Sequence, residues 1–162
     1  IEKVREMSSL VDDTISKVQR IATELRPGIL DDLGIIAALE YAVAEFQQRS
    51  GIKCRLNAES EDLVLDPEIA TEVFRIFQEA LTNVSRHAEA TSVSVILKRK
   101  DNRLVMQLKD NGVGIREEQV SGKHSFGLMG MRERANLAGG QFQIKGIPGK
   151  GTTITLSIPL DG

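Results

Sequence analysis

The chain has 162 residues, 41% of them hydrophobic and 27% charged, with a formal net charge of −2 at neutral pH. That length suits one domain, or one domain with a short appendage, and the composition is that of an ordinary globular fold. A near-neutral, slightly acidic balance gives no reason to expect a strongly basic face for nucleic acid. Aromatic residues make up only 4% of the chain and tryptophan is absent, so the core should be aliphatic. The single cysteine, Cys54, excludes an internal disulfide framework and a cysteine-rich zinc site. It reads as a small core or strand residue in a reducing, cytoplasmic setting. No apolar run approaches the about 20 residues of a membrane helix, and no signal-peptide pattern is present. The chain opens on Ile1-Glu2-Lys3-Val4 without methionine, as an excised fragment would, which leaves room for upstream segments, membrane-attached ones included.

Residues 1–26 are expected as one helix. Val4, Met7, Val11, Thr14, Val18, Ile21 and Leu25 alternate steps of three and four, a heptad seam that calls for a partner helix. Arg26-Pro27-Gly28 ends it, and 28–34 reads as a linker. A second helix is expected over about 35–50, with Ile36, Leu39, Val43 and Phe46 on one face and Ser50-Gly51 as its stop. Residues 52–57 alternate as a short strand. Asp66-Pro67 opens a helix over about 67–88, whose Ile69, Val73, Phe77, Ala80, Leu81 and Val84 face a core. Strands near 92–100 and 103–110 form a hairpin around Asp101-Asn102. A charged, glycine-containing loop spans 111–126. A helix follows over about 127–138, and a last hairpin over 141–146 and 152–159 turns at Pro148 to Gly151. This order predicts an α+β fold, a two-layer sandwich with a mostly antiparallel mixed sheet and helices on one face.

Four short motifs carry chemistry. Glu79, Asn83 and His87 are spaced four apart on the central helix, with Arg86 close by, so they form a polar row on an element otherwise built for burial. A carboxylate and a carboxamide one turn apart can hold a hydrated Mg²⁺, which prefers hard oxygen ligands. Asp110-Asn111-Gly112-Val113-Gly114 follows a strand, where the glycines permit close backbone approach and the aspartate can accept from an exocyclic amine. Gly127-Leu128-Met129-Gly130-Met131 opens a helix whose first amides are unpaired and favour phosphate. Gly149-Lys150-Gly151-Thr152 turns into a strand and presents a hydroxyl. Each motif alone has an ordinary reading, as a solvated helix edge or an Asn-Gly turn.

In this order the four motifs resemble the GHKL ATPase superfamily of gyrase-type ATPases, Hsp90, MutL and histidine kinases, over about residues 66–160. Glu79 to Asn83 with Arg86-His87-Ala88 matches its N box, and the three glycine motifs match its glycine boxes. Leu25-Arg26-Pro27, Leu30-Asp31-Asp32-Leu33-Gly34, Arg86-His87-Ala88 and Gly130-Met131-Arg132-Glu133-Arg134-Ala135 look like bacterial two-component sensor histidine kinases of the nitrate-sensor and desaturase-sensor type. The resemblance implies ATP as substrate and Mg²⁺ as cofactor. Asp110 would accept the adenine amino group, supported by Thr152. Gly112 and Gly114 would make room for the base. Asn83 would bind Mg²⁺, and Glu79 would orient its water or serve as general base. Arg86 would lie near the phosphates and His87 near the base. Gly127, Leu128, Met129 and Gly130 would offer amides to the phosphate tail, under a lid of about 115–126. Residues 1–27 would be the second helix of a dimerisation and phosphotransfer domain, 28–34 the linker, and 35–162 the ATP-binding domain. Implied partners are the chain's own acceptor-histidine helix in a homodimer and a response regulator, with no nucleic acid. Neither His87 nor His124 matches the acceptor motif. The rivals are an anti-sigma-type serine kinase and a non-catalytic nucleotide-binding dimerisation module.

Overall fold

The computed structural model of the chain describes residues 28–59, 63–116, 120 and 126–160. The helix expected over 1–26 and most of the expected lid lie outside them. The elements run α1 (Gly28–Ser50), β1 (Lys53–Ala58), α2 (Pro67–Asn83), a π-helical turn (Val84–Ala88), β2 (Ser92–Lys100), β3 (Arg103–Asp110), α3 (Phe126–Leu137), β4 (Gln141–Ile147) and β5 (Gly151–Pro159).

The five strands form one sheet in the order β1-β2-β3-β5-β4. β1 pairs with β2 in parallel, across the α2 crossover, and the other three pairings are antiparallel. Alternation decides which side is buried. Val93, Val95 and Leu97, then Leu104, Met106 and Leu108, then Ile154, Leu156 and Ile158 all turn to one face and are at most 5% exposed. The helices cover that face: α2 packs against both α1 and α3, α1 reaches β1, and α3 lies on β4. Phe77, Leu39 and Ile76 from the helical layer are fully buried with the strand residues in a single cluster. The expected two-layer α+β sandwich is therefore the fold, with a core that is mainly aliphatic.

Local chemistry explains the boundaries. Asp66 accepts the Glu68 N–H at 2.9 Å and caps α2, with Pro67 in its first turn. Asp101 and Asn102 both adopt positive φ, 50° and 56°, the two-residue turn whose twist suits a tight hairpin. The Pro148–Lys150 turn is closed by the Lys150 N–H on the Ile147 carbonyl at 2.8 Å. The segment expected as a linker, 28–34, is helical as far as Gly34, where φ of 81° and ψ of 179° break the helix. Its Leu30 is 6% exposed and joins the core, so this stretch packs on the domain it leads into. The break needs a residue without a side chain, since such a φ is costly for any other.

Cys54 is 5% exposed on β1, its N–H held by Gln47 Oε1 at 2.9 Å. Burial pushes its thiol up from 9.0 to about 11. The fold thus favours the neutral thiol, a contribution to stability present below about pH 9 and lost as pH rises through about 11. At pH 8 the native thiolate fraction should be roughly a hundredfold below that of the unfolded chain. Alkylation by iodoacetamide is expected to be slow in native buffer and fast in urea; equal rates would contradict the burial.

Candidate functional site

The site begins where α2 stops being regular. Glu79 and Asn83 stand one turn apart, both half-buried, on the last two turns of the helix. The chain then widens into the Val84–Ala88 π-turn and leaves it through Glu89, whose φ is 51°. Such turns recur at functional sites because they re-aim backbone and side chains. Here the turn frees the Ala88 carbonyl, which accepts the Val113 N–H at 2.8 Å. Arg86 and His87 are exposed on the turn, beside the half-buried pair. The side-chain nitrogen Nδ2 of Asn83 is buried and has no hydrogen-bond partner. An unmatched buried donor costs about 1–3 kcal/mol, so this atom is prepared for a ligand oxygen.

Asp110 ends β3 at 3% exposure, and among the described residues it is the only polar or charged side chain that is buried. Its Oδ1 accepts the Gly112 N–H at 2.8 Å, which leaves Oδ2 for a ligand. The loop after it is lodged between two walls. A Cβ on Gly112 would collide with the Ala88 carbonyl, and one on Gly114 would collide with the Ile147 carbonyl. Gly114 also has φ of 79°, a conformation that glycine alone adopts cheaply. Across the loop, the Gly149 N–H reaches the Val113 carbonyl at 2.8 Å, and the Ile115 N–H reaches Thr152 Oγ1 at 3.0 Å. Thr152 therefore braces the loop, and its hydroxyl proton remains free to donate.

The first turn of α3 supplies the third wall. Its amides, from Phe126 to Met129, have no intrahelical acceptors. Gly127 lies so close to α2 that a Cβ there would meet the Glu79 carboxylate, with Asn83 Nδ2 at 3.7 Å. Leu128 is 9% exposed and anchors the turn in the core, whereas Met129 is 51% exposed. Gly130 has open space around it. Arg134 NH1 bonds Glu72 Oε2 at 3.0 Å and ties α3 along α2. The structure thus gathers Glu79, Asn83 and Gly127, and brings Asp110, Gly112, Gly114 and Thr152 into the adjoining knot. Arg86 and His87 sit on the turn linking the two groups.

Two residues to which the sequence reading gave no site role, Asn111 and Glu72, carry this arrangement. Asn111 Oδ1 accepts the N–H groups of Thr91 and Ser92, each at 2.9 Å, while its Nδ2 donates to Thr91 Oγ1 at 2.8 Å. It pins the loop to the start of β2 from 19 or 20 residues away. Glu72 holds α3 through Arg134. Sequence spacing gives no signal for either, because both partners are set by the fold. Asn111→Ala is expected to lower the unfolding free energy by about 1–2 kcal/mol, read from the urea midpoint. Gly112→Ala should cost about 1–3 kcal/mol, because the Ala88 backbone cannot retreat without losing its bond to Val113. A stability unchanged in both variants would contradict the packing described.

Comparison with known proteins places the chain in a family. The family described as histidine kinase-, DNA gyrase B- and HSP90-like ATPase matches residues 68–162. The chain is 34% identical over 160 residues to the signal transduction histidine-protein kinase/phosphatase DegS of Brevibacillus brevis, covering 99% of this chain and 41% of that protein. It is 36% identical over 154 residues to the oxygen sensor histidine kinase NreB of Staphylococcus carnosus, covering 95% of this chain and 43% of that protein. The chain therefore spans less than half the length of these curated relatives. In fold it is similar to the Acinetobacter baumannii histidine kinase AdeS, with a TM-score of 0.68 at 12% identity, covering 96% of this chain and 84% of that one. The histidine kinase domain of the Erythrobacter litoralis EL346 blue-light activated histidine kinase gives a TM-score of 0.64 at 23% identity, covering 78% of this chain and 60% of that one. The chain belongs to the histidine kinase-, DNA gyrase B- and HSP90-like ATPase family, and within it stands with the ATP-binding domains of sensor histidine kinases.

Proposed function

We propose that this chain binds ATP and donates its γ-phosphoryl group to a histidine on the dimerisation and phosphotransfer domain of the same protein, for onward transfer to a response regulator. The observation that carries the reading is Asp110, a carboxylate buried at a strand end with one oxygen tied to Gly112 and the other available. Such an acceptor matches the exocyclic amine of adenine, whereas the carbonyl of guanine would face it as a second acceptor. Residues 1–27 supply the second helix of the dimerisation domain, 28–34 the connection, and 35–162 the nucleotide-binding domain. The full-length protein acts as a cytoplasmic homodimer, with any membrane attachment upstream. Among the described residues, no helix is long and apolar enough to cross a membrane.

Phosphoryl transfer asks the protein mainly to position groups and to neutralise charge. Asp110 fixes the base, with Thr152 bracing the loop and Gly112 and Gly114 keeping the floor thin. The first amides of α3, at Gly127, Leu128 and Met129, receive the phosphate tail, and Gly130 leaves space beside it. Asn83 and Glu79, one turn apart on α2, offer hard side-chain oxygens that suit a Mg²⁺ ion, which keeps several waters among its ligands. When bound, the ion neutralises charge on the phosphate oxygens. Glu79 takes the proton of the attacking imidazole as the new N–P bond forms and ADP leaves. Arg86 lies toward the phosphates and His87 toward the base.

Two outcomes are expected. Asp110→Asn keeps the bond to Gly112 but loses the anionic acceptor, so ATP affinity should fall at least about tenfold in a variant that remains folded by circular dichroism. Unchanged affinity by calorimetry would remove Asp110 from the role. Incubated with γ-labelled ATP, this chain should acquire little acid-labile phosphate, because neither His87 nor His124 lies in an acceptor motif; robust self-labelling would refute the assignment.

A further inference from the structure

The open face of the sheet differs from the rest of the molecule. The pairing register carries one row across all five strands: Arg55, Ser94, Lys109, Thr153 and Lys145. Cations thus stand on alternate strands with a hydroxyl residue between them. Strands lie about 4.8 Å apart, so neighbouring cations in the row are roughly 10 Å apart, close to the screening length at 0.1 M salt. Lys53 lies on one side of this row, and Lys98 and Lys100 on the other. Among the described residues the only acid in any strand is Asp110, and it points inward to the core. This holds although acids outnumber bases in the whole chain, 23 to 21. Between β3, β5 and β4 the face is concave, a trough of about 350 Å³ whose walls include Lys109, Lys145, Lys150, Gln107 and Gln143.

Like charges gathered on one face repel one another, and an anionic surface laid against them relieves that repulsion. The form of the face selects the kind of surface. Among the described residues no aromatic side chain occupies an outward strand position, so the aromatic anchors common in protein interfaces are missing from this face. Arg103 is already engaged, its guanidinium donating to Ser157 Oγ at 2.7 Å and to the Ser157 carbonyl at 3.0 Å. What remains is a broad array of separate cations interleaved with Ser, Thr and Gln and with the apolar Ile96, Val105 and Ile147, open to solvent along the trough. A fluid surface of phosphate headgroups meets such an array without needing a matched shape.

We propose that the outer face of the sheet is a docking surface for an anionic phospholipid bilayer. Docked in this way, the domain turns its helical layer away from the lipid. The groups around Glu79, Asn83 and Asp110 lie on that far side and stay accessible. The proposal rests on the strand register and does not depend on the assignment of the nucleotide.

Sedimentation of this chain with vesicles tests it. Binding is expected to vesicles of three parts phosphatidylcholine to one part phosphatidylglycerol, to be absent with phosphatidylcholine alone, and to be lost in about 0.5 M salt. Each Lys or Arg brought to such a surface contributes roughly fivefold in affinity, so Arg55→Gln, Lys98→Gln and Lys145→Gln combined should weaken binding by on the order of a hundredfold. Ala44→Glu, Gln48→Glu and Arg49→Gln on α1 make the same net charge change away from the face and should leave binding near the starting level. No binding to the anionic vesicles would overturn the proposal, even if the same face captured an acidic protein or a nucleic acid. Equal loss in the two triple variants would also overturn it, by assigning the effect to net charge. Should the sheet variant fail to fold by circular dichroism, the three single changes, each expected to cost roughly fivefold, decide the same question.

Discussion

The carboxylate of Asp110 is held almost out of water, and the surrounding structure follows from where it sits. Removing an ionised group from solvent carries a penalty of several kcal/mol unless its oxygens are matched. One oxygen is matched by the Gly112 amide at 2.8 Å, which requires the chain to turn back at once after β3. That turn drives Gly112 against the Ala88 carbonyl, where only a residue without a side chain fits. The Ala88 carbonyl is presented there because α2 gives way to a π-turn at Val84. On the other side, the β4–β5 turn fastens to Val113. Three separate stretches of chain thus meet at the strand end that carries Asp110. The second oxygen takes no part in that bond.

The helical layer extends the same logic to the far side of the π-turn. α2 is the central element, since it packs on both α1 and α3 and carries Glu79 and Asn83. Gly127 lets the start of α3 approach the Glu79 carboxylate, and the Glu72–Arg134 pair keeps the two helices aligned further along. This pair is partly exposed, at 38% and 20%, so it contributes alignment more than stability. The buried, partnerless Nδ2 of Asn83 lies within this junction. A carboxylate, an orphaned amide and the open amides of a helix start form a polar group apart from the knot at Asp110.

Much of this was legible in the sequence, and the reasons differ from one element to the next. The strands Ser92–Lys100 and Arg103–Asp110 stand where alternation places them, because a half-buried antiparallel pair imposes a period of two. Asp66-Pro67 opens its helix because cap chemistry is local. The motif residues Glu79, Asn83, Asp110, Gly112 and Gly127 were visible through their types and spacing. The helical character of 28–33 was not, because Leu30 joins the core only through tertiary packing and a nearby proline and glycine suggest irregular chain. The change from α-helix to π-turn at Val84 also lacks a local signal; the Ala88 carbonyl at its end meets the distant Val113 amide. Asn111 reads as a turn residue until its partners Thr91 and Ser92 are seen. The basic sheet face is hidden for a related reason. Overall charge sums over the chain, whereas the pleat and the register sort it by face.

The account stands on one claim, that a buried carboxylate at Asp110 makes this domain an adenine-nucleotide binder. Calorimetric titration of the chain with Mg·ATP and with Mg·GTP tests it most directly. Saturable binding of ATP at one site per chain, with GTP at least about tenfold weaker, is the expected result. Equal affinity for the two nucleotides, or no saturable heat with ATP, would contradict it.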